Sequence, residues 1–368
     1  MFLYKRRSEL GPVSAMALVL ITAGVCCLGC SDPGVARLTL EKGAPVRQLF
    51  AADALGKATP VADLIEQPPP AAASVDPEYQ FYRPRGVDLD SAGNAYVLDD
   101  GNHRIQVFGP DGDYLRTIGR QGQGPGELGN AWGIAIAGSD DVVIVHDQGN
   151  HRLSQWDRDG AAIGSSPTSL NLMSPLFGLR DGTLLGLYST LDPELFSQRR
   201  GFYRATVSRV DRSGVEIRRY VGGEVQLEPL PVGMPRIASD RRERLYFAPY
   251  GEFAISAINL DDGNDVWHVE FVDDDGLVLT GELGEQPVRN LAVDDHGHVW
   301  VWTPRTDPSG AAYPVVVLSA EGELISSGSL AISGFNASRG DDLYRLARDP
   351  DTEEVNLRRY TLVERFEP

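Results

Sequence analysis

The sequence predicts an all-β chain folded as a six-bladed β-propeller, and three observations carry that expectation. Between Pro84 and Leu362 the chain falls into about six units of about 47 residues; Gly86 recurs as Gly133, and Asn102 as Asn150. Each unit holds four short runs in which apolar and polar residues alternate, the pattern of a strand with one face buried. The 40 Gly and 24 Pro among 368 residues favour turns over long helices. A unit this small cannot bury its own faces and has to stack on its neighbours. Four strands per unit point to a closed ring of sheets, because closure leaves only short, protected edges.

The first 29 residues read as an export signal. Lys5, Arg6 and Arg7 are followed by an apolar run from about Val13 to Leu28, and the chain turns polar at Ser31, Asp32 and Pro33. The run is short for a bilayer span of about 20 residues; an uncleaved anchor is the alternative. The ending Leu28-Gly29-Cys30 resembles the lipobox of bacterial lipoproteins, although Cys27 stands where that motif usually has Leu. The resemblance implies that Cys30 carries lipid as the first mature residue. The protein is then held at the cell envelope, and Ser31 permits the outer membrane. Cys26, Cys27 and Cys30 are the only cysteines, so the folded part has no disulfide framework, Cys metal site or Cys nucleophile. Losing three basic groups and Glu9 with the signal takes the formal charge from −18 to −20. That balance argues against nucleic acid as a partner, since phosphate binding relies on Lys and Arg.

Residues 30–80 are expected to form a lipidated tether. Ala36-Arg37-Leu38-Thr39-Leu40-Glu41 and Val46-Arg47-Gln48-Leu49-Phe50 alternate as strands do. Gln67 to Ser74, with three consecutive prolines, reads as a stiff linker. A strand from before this linker is expected to close the last blade, so that deleting residues 35–50 lowers the thermal midpoint.

The propeller is expected over residues 81–364. Its first two units carry Gly101-Asn102-His103-Arg104-Ile105-Gln106-Val107-Phe108 and Gly149-Asn150-His151-Arg152-Leu153. They are joined by Gly119-Arg120-Gln121-Gly122-Gln123-Gly124-Pro125-Gly126-Glu127-Leu128. These residues resemble the NHL-repeat family of β-propellers, clearly so from Pro84 to Gly164. Later units keep the period and lose the signature. The resemblance implies that Asn102, His103, Arg104, Asn150, His151 and Arg152 serve structure.

No catalytic set emerges. The glycine-rich connector lacks the Gly-Lys-Ser/Thr ending of a phosphate loop. His296 and His298 flank a turn glycine, and spacing names no three-His zinc site. The clusters Asp261–Asp265 and Asp273–Gly276 suit Ca²⁺ oxygens but equally hairpin turns, and the turn reading is preferred. Asp88 and Asp90 alternate with Val87 and Leu89, which brings one or both toward the channel. The long connections 188–204 and 303–314 between second and third strands hold Arg199, Arg200, Phe202, Tyr203, Arg305 and Asp307. Arg and aromatic residues dominate binding hot spots. The expectation is a monomeric, non-catalytic binder of a protein, peptide or glycan on that face, with no cofactor. A propeller lyase or lactonase with channel Ca²⁺ or Zn²⁺ is the alternative.

Overall fold

The computed structural model describes residues 5–6, 44–50, 59–68, 80–190, 202–226, 234–281, 286–304, 312–349 and 353–364. Cys30 and the alternating segment Ala36–Glu41 lie outside them. Six sheets form the six blades, and the strands named for each blade below are antiparallel to their neighbours. Blade one is Pro84–Leu89, Ala95–Asp99, Arg104–Phe108 and Tyr114–Ile118. Blade two is Ala131–Ala137, Val142–Asp147, Arg152–Trp156 and Ala162–Pro167. Blade three is Asn171–Gly178, Leu184–Thr190, Phe202–Val210 and Glu216–Gln226. Blade four is Arg236–Ser239, Arg244–Ala248, Ala254–Asn259 and Asp265–Val272. Blade five is Asn290–Val293, Val299–Trp302, Tyr313–Leu318 and Leu324–Leu330. Blade six is Ala337–Arg339, Asp342–Arg348 and Val355–Glu364, completed from the N-terminal side.

The core is distributed between blades. Six apolar clusters correspond to six interfaces. Tyr96, Leu98, Ile105 and Val107 of blade one pack with Ile134, Val143 and Val145 of blade two. The ring returns to its start where Val87, Val97 and Phe108 of blade one meet Ala337, Tyr344 and Leu357 of blade six. Alternating strands with both faces covered explain why the central strands, such as Ala95–Asp99 and Val142–Asp147, are buried at every position. No described helix is long and apolar enough to cross a membrane.

The strand that closes the ring does come from before the Pro-rich linker, but it is not Val46–Phe50. The outer strand of blade six is Ala62–Glu66, antiparallel to Val355–Glu364 with Ala62 opposite Glu364 and Glu66 opposite Tyr360. Val46–Phe50 goes elsewhere: it pairs in parallel with Asp265–Val272 as a fifth strand of blade four. Burial explains the choice. Val61 and Ala62 are 3% and 4% exposed and join the cluster holding Leu330, Ile332 and Leu362. Val46 and Phe50 sit on an outer edge, 51% and 44% exposed.

The turns repeat one device. Asp157 and Asp273 each accept backbone N–H groups two and four residues on. Gly160 and Gly276 follow in the left-handed region, φ 94° and 77°, where a Cβ would be strained. The acidic stretches at 261–265 and 273–276 are turns of this kind. Asn259 Oδ1 accepts the N–H groups of Asp261 and Asp262.

Candidate functional site

A cavity of about 760 Å³ runs along the central channel, lined by the first strand of every blade and by the turns that leave those strands. These turns all lie on one face of the ring. The second-to-third-strand connections leave from the opposite face, because successive strands of a blade are antiparallel. Thr190 and Phe202, and Trp302 and Tyr313, bound the two long connections there. Arg199, Arg200, Arg305 and Asp307 fall outside the described residues. Phe202 and Tyr203 belong to the strand Phe202–Val210, opposite Gln226 and Val225.

Charged residues collect at the channel mouth. Asp88, on blade one, is 1% exposed. Its Oδ2 accepts the Ile136 N–H of blade two at 2.7 Å, and its Oδ1 accepts the Leu89 N–H at 2.8 Å. The same Oδ1 receives Arg241 Nη1 at 2.5 Å. Arg241 belongs to the turn after the first strand of blade four. In a ring of six, blades one and four are opposite, so this guanidinium spans the channel. Its backbone is braced for the task. The Arg241 N–H donates to Ser239 Oγ at 2.9 Å, and its carbonyl accepts the Arg180 N–H of blade three at 3.2 Å. Arg241 has φ 61°, a left-handed conformation that costs a non-glycine residue about 1 kcal/mol.

The other acids at the mouth are held by neighbouring donors. Asp90 accepts the N–H groups of Ala92 and Asn94, the Asn94 amide and the Tyr96 hydroxyl. Burial, reinforced by the Asp90 charge, pushes the Tyr96 hydroxyl up to about 12. Asp141 accepts Ser91 N–H at 3.1 Å and Ser91 Oγ at 2.5 Å, tying blade two to blade one. Asp240 accepts the N–H groups of Arg242, Glu243 and Arg244. Asp294 accepts two backbone N–H groups, His298 Nδ1 and Trp300 Nε1. Arg180, Arg242 and Arg339 are exposed and line the same cavity. His296 and His298 are engaged by Asp341 and Asp294 respectively. Among the described residues, no three His, Cys, Asp or Glu side chains come together as a metal site.

The repeat-signature residues do not line the cavity. Asn102 Nδ2 and Arg104 Nε both donate to Asp99 Oδ2, at 2.8 and 2.9 Å, and both side chains also reach the Gln80 carbonyl. His103 Nδ1 meets the Gly129 carbonyl at 2.5 Å. In blade two, Asn150 Nδ2 donates to Asp147 Oδ2 at 2.6 Å, while Arg152 donates to the carbonyls of Gln123, Gly124 and Glu127. His103 and His151 take φ of 54° and 51° as the residues that end each three-residue turn. Sequence reasoning missed the two buried carboxylates that organise these networks, Asp99 and Asp147, and it missed Arg241. Each buried Asp precedes its Gly-Asn-His-Arg run by two residues, a signal that was available. Arg241 has no motif around it.

Residues 89–274, just over half of the chain, match the family described as 6-bladed beta-propeller, DUF5128. A 64-residue stretch is 42% identical to the RING finger protein nhl-1 of Caenorhabditis elegans, covering 17% of this chain and 6% of that protein. This chain therefore spans only a small part of that relative. The fold is shared with a Bacteroides fragilis NCTC 9343 protein whose name marks it as exported, at TM-score 0.56 and 12% identity over 88% of this chain and 100% of that one. A DUF4221 protein from Bacteroides vulgatus aligns at TM-score 0.57 and 14% identity over 83% of this chain and 99% of its own. The matched residues lie within a ring of six four-stranded blades, and the chain belongs to the DUF5128 family of 6-bladed beta-propellers.

Proposed function

We propose that this protein is an exported, lipid-anchored, non-catalytic binding propeller whose ligand enters the central channel from the face of the first-to-second-strand turns. One observation carries the reading: a cavity of about 760 Å³, reached by side chains from all six blades and rimmed by arginines. Its volume lies in the range of small-molecule sites, roughly 300–1,000 Å³. Export is supported by the Lys5–Cys30 sequence and by the name of the Bacteroides fragilis neighbour. The long connections 188–204 and 303–314, whose sequence holds Arg199, Arg200, Phe202, Tyr203, Arg305 and Asp307, are the alternative docking segments for a protein, peptide or glycan.

A thermal-shift panel of organic acids, neutral sugars and short peptides tests the site. Ser338, on the innermost strand of blade six, lines the cavity. Compounds that raise the midpoint of the wild type are expected to lose their effect in Ser338→Trp, which fills the channel. Hits that persist unchanged in Ser338→Trp contradict the channel site. Stoichiometric Zn²⁺ or Ca²⁺ in tag-free protein favours the enzyme reading instead.

A further inference from the structure

We infer that the channel mouth is an oxyanion site, in which Arg241 exchanges the Asp88 carboxylate for a carboxylate or phosphate group of the ligand. The inference rests on the channel reading above and names the ligand chemistry. Its first support is the asymmetry between the charges. Asp88, Asp90, Asp141 and Asp294 are all less than 9% exposed, and each is surrounded by backbone or side-chain donors. A ligand entering the mouth does not meet their lone pairs. It meets three exposed guanidinium groups, Arg180 from blade three, Arg242 from blade four and Arg339 from blade six, against one exposed carboxylate of the lining, Asp295 of blade five. The carboxylate facing Arg242 is distant, Asp295 at 3.9 Å, and is itself capped by the Gly340 N–H. Guanidinium forks are the protein groups best shaped to hold carboxylate and phosphate oxygens in pairs.

The second support is the Arg241–Asp88 pair itself. It joins opposite blades across an open channel, whereas ring stability is carried by contacts between adjacent blades. Asp88 has two other donors and stays satisfied when Arg241 leaves. Arg241 is 28% exposed, so incoming anions reach it. Its strained backbone, fixed at both N–H and carbonyl, keeps the guanidinium over the channel rather than in solvent. An internal carboxylate therefore occupies the position that a ligand oxyanion takes.

The test is calorimetric titration of the full chain with citrate and with inorganic phosphate at low salt, with glucose and spermidine as neutral and cationic opposites. Saturable binding of citrate, phosphate or both is expected, and the tighter of the two identifies the source as a carboxylate or a phosphate ester. Arg180→Ala, Arg241→Ala and Arg339→Ala should each weaken it by about 10-fold, the size of a lost hydrogen bond to a charged group. Arg120→Ala, at an exposed connector position, should leave it unchanged. Asp88→Asn should tighten binding several-fold by releasing Arg241. If Asp88→Asn does not fold, the Arg241 Nε–H resonance of the wild type is followed instead, and it should move on citrate addition. Anion binding that ignores the arginine substitutions, or no saturable anion binding, overturns the oxyanion site. The channel reading survives that result if a neutral or cationic compound binds and is lost in Ser338→Trp; both fall if nothing responds to Ser338→Trp.

Discussion

Removing two methyl groups from Val61 should cost this propeller far more than removing the same two from Val46. Both valines precede the first blade; Val61 adjoins the strand that completes blade six, and Val46 begins the extra fifth strand of blade four. Val61 is 3% exposed; its N–H donates to the Ser329 carbonyl at 3.0 Å, and its side chain packs with Leu330, Ile332 and Leu362. Val46 is 51% exposed at the edge of blade four. Each buried methyl contributes about 0.8 kcal/mol, and the cavity left behind adds to that loss. Val61→Ala is therefore expected to destabilise by roughly 2–3 kcal/mol, and Val46→Ala by less than about 0.5 kcal/mol. At about 2 °C per kcal/mol for a domain of this size, the midpoint should fall by roughly 4–6 °C in the first case and by about 1 °C or less in the second. Differential scanning fluorimetry on the two variants side by side measures this. Equal midpoints, or a larger loss at Val46, refute the assignment of Ala62–Glu66 as the strand that closes the ring.

Three further outcomes are expected. Asp147 is fully buried and accepts the Gly129 N–H at 3.0 Å and Asn150 Nδ2 at 2.6 Å, with Arg152 Nε 3.5 Å away. Asp147→Ala leaves those donors behind and should cost about 3 kcal/mol or more in chemical denaturation, with Asp147→Asn costing less. Burial holds the His146 imidazole below its ordinary value, and its hydrogen bond to the Leu170 carbonyl offsets that only in part. The unfolded chain takes up this proton before the folded one does, so stability should decline as pH falls from about 6.5, and His146→Gln should flatten the pH 7 to 5 profile. Cys30→Ala should move the protein from the membrane fraction to the soluble exported fraction; retention in the membrane contradicts lipid anchoring at that residue.

The blades were legible because their information is local. A strand such as Val142–Asp147 carries its own β-branched run, and turns such as Asp157 to Gly160 carry their own Asp and Gly. Ring closure was legible as a need met from before the Pro-rich linker, but not as a particular segment. Ala62–Glu66 is short, follows a proline and shows mixed burial, and its partner Val355–Glu364 lies nearly three hundred residues away. Val46–Phe50 alternates more clearly and attracted the assignment, but alternation specifies a strand without specifying which sheet receives it. The channel mouth was visible only at Asp88 and Asp90, on blade one. Arg241 lies 153 positions from Asp88, and the residues of the rim come from turns spread over six blades. No local pattern links them; the ring places them together. The long connections carry a stronger local pattern, because Arg and aromatic residues cluster there in sequence.

Hydrogen–deuterium exchange with the tightest-binding compound of the thermal-shift panel tests the central claim most directly, because it reports on both faces of the ring at once. Protection is expected in the turns around Asp88–Ser91, Gly138–Asp141, Ser239–Arg242 and Asn336–Arg339. Protection confined to residues 191–201 and 305–311, with the channel turns unchanged, contradicts a ligand site at the channel mouth.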